Sequence, residues 1–152
     1  MRLILGLILL LCCTLIGYCM AGKFIDRKTF YNDFLSFVKK LKQEVSFGQA
    51  TIIEIVKDTN IGDFCLLIEN YFNSNNKSIP YPYLNKDDKK VYLDFVEKIG
   101  KSDGKTQLDY LNDIEQNVSN EYTKASENEK IYKKLYIKMG FLVGLILLIL
   151  VL

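Results

Sequence analysis

The sequence has no histidine, and this absence removes a large part of simple enzyme chemistry. Without imidazole there is no Ser-His or Cys-His nucleophile, no histidine ligand for zinc and no proton shuttle of the commonest kind. The four cysteines form no C-x-x-C pair, so neither a zinc knuckle nor a disulfide framework is indicated. We interpret all four as reduced apolar side chains. The sequence therefore predicts no metal site and no cofactor.

An excess of charge of one sign is also missing. The 152 residues carry 20 basic and 18 acidic side chains, with a net charge of +2. Lysine alternates with aspartate and glutamate, so the chain lacks the basic surface that nucleic-acid binding requires. Paired acids can perform acid–base catalysis, but Asp87 with Asp88 and Asp109 with Asp113 fall on lysine-rich helices, where such pairs are usually solvated. We expect neither an enzyme nor a nucleic-acid-binding protein.

The amino-terminal end has a long run without charge. Leu3–Gly22 is 20 residues, or roughly 30 Å as a helix, which matches the hydrocarbon thickness of a bilayer. A cleaved signal peptide with a site near Ala21 is an alternative, although the run is longer than a usual signal-peptide core. A lipoprotein acceptor at Cys19 is a second alternative, but Tyr18 is not the small residue that should precede it. We favour an uncleaved transmembrane helix.

The carboxyl-terminal end has a second run without charge, and this run is shorter. Met139–Leu152 spans roughly 21 Å as a helix, and it reaches further if Lys138 extends to the lipid headgroups. A buried core helix is the alternative interpretation. We predict three parts: an N-terminal transmembrane helix over 1–22, a cytoplasmic helical bundle over 23–138 and a C-terminal transmembrane helix over 139–152.

Basic residues indicate which side of the membrane the middle part occupies. Cytoplasmic flanks of membrane spans are enriched in lysine and arginine. Both apolar runs are flanked by basic residues mainly on the side of the middle part, which predicts a cytoplasmic bundle with both termini across the membrane. These residues are Lys23, Arg27, Lys28, Lys130, Lys133, Lys134 and Lys138.

Small residues recur near the cytoplasmic end of each apolar run. Cys13, Gly17 and Ala21 are spaced four apart, and Gly140 and Gly144 form a G-x-x-x-G motif. Small faces let helix backbones approach closely. We hypothesise that the two stripes pack together, within one chain or between the chains of a homo-oligomer. The alternative is that glycine is simply common in membrane helices.

The middle part has helical periodicity throughout, with apolar residues three and four apart. We predict an all-α fold: an antiparallel helical bundle of about five helices, in which two long helices continue into the spans. Gly48 is a predicted helix stop, Thr51 with Glu54 a predicted start, and Asn85 with Asp88 another. The predicted buried faces are Phe30, Phe34, Phe37, Val38, Leu41 and Val45; Ile61, Phe64, Cys65, Ile68 and Phe72; Tyr92, Phe95, Val96 and Ile99; and Leu108, Leu111, Ile114, Val118, Tyr122 and Ala125.

Three short motifs in a fixed order add a resemblance. They are Glu44–Gly48 followed by Glu54, Ile99–Asp103 followed by Gln107, and Met139–Leu145 leading into a terminal Leu/Ile run. With the initial apolar run, their order and spacing resemble the stage III sporulation protein AB family across the whole chain. Two departures occur: Ala50–Ile53 replaces a proline-containing stretch of the family, and Lys105 follows Ser102 where the family often has glutamate.

The resemblance implies a non-enzymatic membrane component of a secretion-like sporulation complex. That complex lies at the outer forespore membrane, on the mother-cell side, and the family is related to the helical platform proteins of type II secretion. The implied partners are other stage III proteins, including a secretion-type ATPase.

The motifs also contain candidate docking residues for such partners, namely Glu44, Glu54, Ser102, Asp103 and Gln107. Their alternative role is structural, since Ser102 or Asp103 can cap the last helix and the two glutamates suit surface or cap positions. A small pore-forming or holin-like protein is the alternative function, because short proteins with two spans include that class.

Overall fold

The computed structural model describes residues 2–47, 62–74, 84–101 and 104–151, and within these ranges the regular structure is entirely helical. Four helices follow one another along the chain: α1 (Arg2–Phe47), α2 (Gly62–Ser74), α3 (Lys86–Lys98) and α4 (Gly104–Val151). The first and last contain 46 and 48 residues, or roughly 70 Å each. They are longer than any single span requires.

The two long helices form an antiparallel pair along most of their length. Cys13 lies against Gly140 and Gly144 near one end of the pair. Phe24 stacks on Tyr132 further along, and Lys42 pairs with Glu115 near the other end. Each helix therefore runs without interruption from an apolar half into a charged half.

Both long helices are apolar enough over part of their length to cross a membrane, as judged by length and composition. Their apolar halves are largely exposed on the outside of the pair, with Ile4, Leu15, Leu142 and Leu150 each more than half exposed. A membrane-facing surface fits this exposure, because a soluble core helix would bury such side chains.

The core lies in the charged half and is strongly aromatic. Phe34 of α1 stacks on Phe64 of α2 at a centroid distance of 5.1 Å and meets the edge of Phe95 from α3 at 4.9 Å. The long helix α4 contributes Leu111, Val118 and Ala125, all buried. These α4 residues are spaced seven apart, the repeat that keeps one seam of a helix facing its partner. The two short helices therefore pack around the distal part of the long pair.

The termini of the short helices follow local sequence rules. Asn85 is the N-cap of α3, and its backbone N–H donates to Asp88 Oδ2 at 3.3 Å, which is the carboxylate half of a capping box. After α3, Gly100 has a φ of 75°, a left-handed conformation that glycine adopts without steric cost. Gly100 lies in the turn that ends α3.

The prediction of an all-α fold is confirmed. The described residues contain four helices, whereas about five were predicted; the short helix predicted after Thr51 lies outside the described residues. The predicted buried faces agree with the structure at most positions. Phe72 is an error, because it is 43% exposed. Ile61 lies outside the described residues.

Candidate functional site

The most deeply buried charge in the described residues is the carboxylate of Asp88, which is 3% exposed. Arg27 of α1 binds it with two parallel hydrogen bonds, from Nε to Oδ2 at 3.0 Å and from Nη2 to Oδ1 at 3.1 Å. Burial disfavours the charge of Arg27, but the hydrogen bonds and charge of Asp88 outweigh this and raise the pKa of Arg27. This bidentate geometry is the strongest type of side-chain ion pair. It ties the start of α3 to the middle of α1.

Tyr31 completes the coordination of the same carboxylate. Its hydroxyl donates to Asp88 Oδ1 at 2.6 Å, and its ring lies 5.4 Å from the Arg27 guanidinium carbon. Burial raises the pKa of Tyr31. The hydrogen bond to Asp88 raises this pKa further, because only the neutral hydroxyl can donate that bond. Asp88 accepts hydrogen bonds from both α1 side chains and from the Asn85 backbone, so its charge is fully compensated.

The long helix α4 joins this cluster through Glu121. Arg27 Nη2 donates to Glu121 Oε2 at 3.0 Å, and Lys124 donates to Glu121 Oε1 at 2.7 Å. We call Arg27, Tyr31, Asp88 and Glu121 the three-helix cluster, because it links α1, α3 and α4. Removing one partner of a buried ion pair typically costs about 3–5 kcal/mol. The cluster therefore fixes the position of α3 on the long pair.

A second ionic group lies nearer the apolar half. Glu129 is nearly buried and contacts Lys28 and Lys133, each at 3.4 Å. Burial raises the pKa of Glu129, but the hydrogen bonds and charges of the two lysines outweigh it, so the pKa lies below its usual value. This group joins α1 to α4 just before the apolar halves of the two helices begin.

A groove of about 590 Å³ with mixed polar and apolar walls opens beside the three-helix cluster, between α3 and α4. Arg27, Tyr31 and Asp88 line it together with residues from both flanking helices. Among the latter are Asp94 and Asn117, both exposed. Exposed carboxylates and amides in a groove suit hydrogen bonding to a polar protein segment. Within the part of the chain that the structure describes, no group of three or more cysteine, aspartate or glutamate side chains could hold a metal ion.

The small residues of the two apolar runs meet in the structure. A methyl group added to Gly17 would lie 2.6 Å from the carbonyl oxygen of Tyr136, and one added to Gly140 would lie 2.6 Å from that of Cys13. A methyl group on Gly144 would lie 2.9 Å from Leu10 Cα. Ala21 is fully buried. The structure thus brings both stripes into one interface within a single chain.

The structure describes two of the five candidate docking residues. Glu44 is half-buried near the end of α1, and Gln107 is 8% exposed in the first turns of α4. Because the long helices are antiparallel, both lie at the end of the bundle opposite the apolar halves. Glu54, Ser102 and Asp103 lie outside the described residues.

Sequence reasoning did not identify the three-helix cluster. The sequence pattern assigns Asp88 to a helix start and to half of an acidic pair, neither of which predicts burial. One signal was available: the chain has 18 lysines but only two arginines, and Arg27 is the one that follows the N-terminal run. Arginine is preferred over lysine where a carboxylate must be bound through two bonds.

Comparisons with known proteins agree with the resemblance seen in the sequence. A family model described as stage III sporulation protein AB matches residues 2–77 and 67–152, which together cover nearly the whole chain. No curated protein and no solved structure matches the chain.

Proposed function

Because the chain belongs to the stage III sporulation protein AB family, we propose that it is a non-enzymatic membrane platform of a secretion-like sporulation complex. In this proposal the two apolar runs cross the outer forespore membrane and the bundle lies in the mother-cell cytoplasm. The distal end of the bundle docks partner proteins, among them a secretion-type ATPase.

The observation that carries the proposal is the continuity of the two long helices. Each runs from the apolar half into the bundle without a break, and the pair is joined by close glycine contacts at one end and by the three-helix cluster further along. Such a pair is a stiff support. From Lys23 to Glu44 the helix rises roughly 30 Å, so a partner docked near Glu44 is held well clear of the membrane.

We propose no enzymatic role because the described side chains offer few groups for acid–base or nucleophilic catalysis. The chain has no histidine. Among the described carboxylates, the most buried one, Asp88, is already bound by Arg27, Tyr31 and the Asn85 backbone. A carboxylate held in this way supports a fold more readily than it transfers protons.

Co-purification from sporulating cells tests the docking role. Tagged wild-type protein should recover a secretion-type ATPase, and Glu44→Lys should reduce that recovery by about tenfold, which corresponds to a loss of about 1.4 kcal/mol of binding free energy. Glu127→Lys is the matched control, because it makes the same charge change at an exposed position of α4 near the spans. Equal recovery with both variants, or no ATPase with wild type, would contradict the proposal.

A leakage assay distinguishes the platform role from the pore-forming alternative. Purified full-length protein reconstituted in liposomes should release no trapped dye, because the spans pack closely against each other. Release that increases with protein concentration would favour the pore.

A further inference from the structure

Two cavities meet at Lys23, the first charged residue after the N-terminal apolar run. One is a shallow groove of about 460 Å³, the apolar groove, lined by Leu15, Ile16, Cys19, Met20 and Lys23. The other, which we call the boundary cleft, measures about 450 Å³ and lies between α1, the start of α3 and α4. Its lining includes Lys23, Arg27, Asn85 and Asn128. A shallow apolar groove on α1 thus adjoins a polar cleft just beyond it.

The polar cleft has donors that the protein does not use. Arg27 engages its Nε and Nη2 donors with Asp88 and Glu121, whereas the Nη1 donors have no partner among the described residues. Arginine has five N–H donors, so two remain for a ligand. Asn128 adds a half-buried amide to the same lining.

Lys23 is held in place without a carboxylate. Its Nζ lies 5.0 Å from the ring centroid of Phe24 and 5.7 Å from that of Tyr136. No carboxylate pairs with it in the described ranges. Aromatic rings attract a cation but do not neutralise it, so the positive charge at the junction of the two cavities remains available to an anion.

The surroundings of the junction are also positive. Residues 23–28 contain three basic side chains and one acidic, and residues 128–138 contain four basic and one acidic. These two segments together carry a net charge of about +5, against +2 for the whole chain. Positive charge beside a membrane span favours anionic lipid headgroups.

We propose that the two cavities form one binding site for an anionic phospholipid. The phosphate-bearing headgroup occupies the boundary cleft, where Lys23, Arg27 Nη1 and the Asn128 amide supply positive charge and hydrogen-bond donors. An acyl chain lies along the apolar groove. The site rests on the membrane placement in the proposed function, but not on any partner protein.

The occupant is a lipid rather than a free phosphate because of the groove. Its walls from Leu15 to Met20 are exposed apolar side chains continuous with the cleft through Lys23. A soluble phosphate has no acyl chain that could lie along these side chains. Binding of one lipid would also hold α1 and α4 together at the point where the bundle leaves the membrane.

Native mass spectrometry of the full-length protein in detergent tests the site. Dioleoylphosphatidylglycerol should bind more tightly than dioleoylphosphatidylcholine, which has no net negative charge. Lys23→Gln should weaken binding of the anionic lipid by about fivefold, the effect of one basic residue near a membrane surface. Lys39→Gln, at an exposed position further along α1, is the matched control and should leave binding within twofold.

A second pair of variants tests the cleft independently of Lys23. Asn128→Asp places a negative charge in the headgroup position and should weaken binding of the anionic lipid at least as much. Asn112→Asp, exposed in the distal part of α4, should have no effect. Glycerol phosphate, which has the headgroup charge without acyl chains, should fail to displace the lipid at a hundredfold excess.

Several results would overturn the proposal. They are equal affinity for the two lipids, equal effects of the cleft variants and their controls, and displacement by glycerol phosphate, which would indicate a soluble phosphate instead. No partner protein is present in this assay, so a failure of ATPase co-purification leaves its outcome unchanged. Release of the chain from membranes by alkaline carbonate would refute the membrane placement separately.

Discussion

Gly17 and Gly140 pack directly against each other across the apolar helix pair. A methyl group on either would lie 3.4 Å from the Cα of the other and 2.6 Å from a backbone carbonyl oxygen of the facing helix. Backbone atoms cannot move aside as a flexible side chain can. The spacing of the two helices is therefore set by the absence of side chains at these positions.

We expect Gly17→Ala and Gly140→Ala each to destabilise the folded protein by about 1–3 kcal/mol, the usual effect of overpacking. Gly22→Ala is the matched control, because nothing lies within 4 Å of the added methyl group. That control should be neutral or slightly stabilising, since alanine favours the helix more than glycine does. Unfolding in mixed detergent micelles, followed by circular dichroism, measures the three variants. Equal stability of Gly17→Ala and Gly22→Ala would refute the close packing.

The three-helix cluster gives a second prediction. Asp88→Asn removes the charge that binds Arg27 and should destabilise the protein by about 3 kcal/mol. The neighbouring Asp87 is exposed, so Asp87→Asn should change the free energy of unfolding by less than about 0.5 kcal/mol. The same micelle assay compares the two variants. If both behave alike, the cluster does not hold α3 in place.

The raised pKa of Tyr31 predicts a dependence of stability on pH. An ordinary tyrosine has a pKa of about 10, and burial together with the hydrogen bond to Asp88 raises that of Tyr31. The folded state therefore binds the phenolic proton more tightly than the unfolded state does. This contribution to stability is fully present below about pH 10 and is lost as the pH rises above that value.

Tyr31→Phe isolates the effect of this one residue. At pH 8 the variant should be less stable than wild type by about 1.5–3 kcal/mol, because a hydrogen bond to a charged group is lost. The difference in free energy of unfolding between the two proteins should become smaller as the pH rises above about 10. Tyr92 also has a pKa raised by burial. Because Tyr92 is present in both wild type and Tyr31→Phe, it does not contribute to the difference in stability between them. A difference that stays constant from pH 8 to 11 would contradict the assignment.

Much of the fold could be predicted because helical periodicity is a local property. The buried stripe of Phe30, Phe34 and Phe37 and the N-cap at Asn85 are visible in short stretches of sequence, and the structure has both. Phe72 satisfied the same periodicity but is partly exposed, because the three-dimensional packing decides how far along a helix the buried stripe continues.

The three-helix cluster could not be predicted in the same way. Arg27 and Asp88 are 61 positions apart, and Arg27 and Glu121 are 94 apart. A local pattern does not show which surface of α1 meets the start of α3. The sequence therefore contains the parts of the cluster, whereas the packing of three helices determines that they meet.

The central claim is that the bundle lies on the cytoplasmic side of a membrane, supported by two packed spans. Its most direct test is labelling of single cysteines with a membrane-impermeant maleimide in intact protoplasts of vegetative cells that produce the protein in their plasma membrane, after the four native cysteines are replaced. A cysteine at Lys39, exposed on the bundle, should be labelled only after the membrane is permeabilised. A cysteine added after Leu152 should be labelled in intact protoplasts. Labelling of the Lys39 position in intact protoplasts would contradict the account.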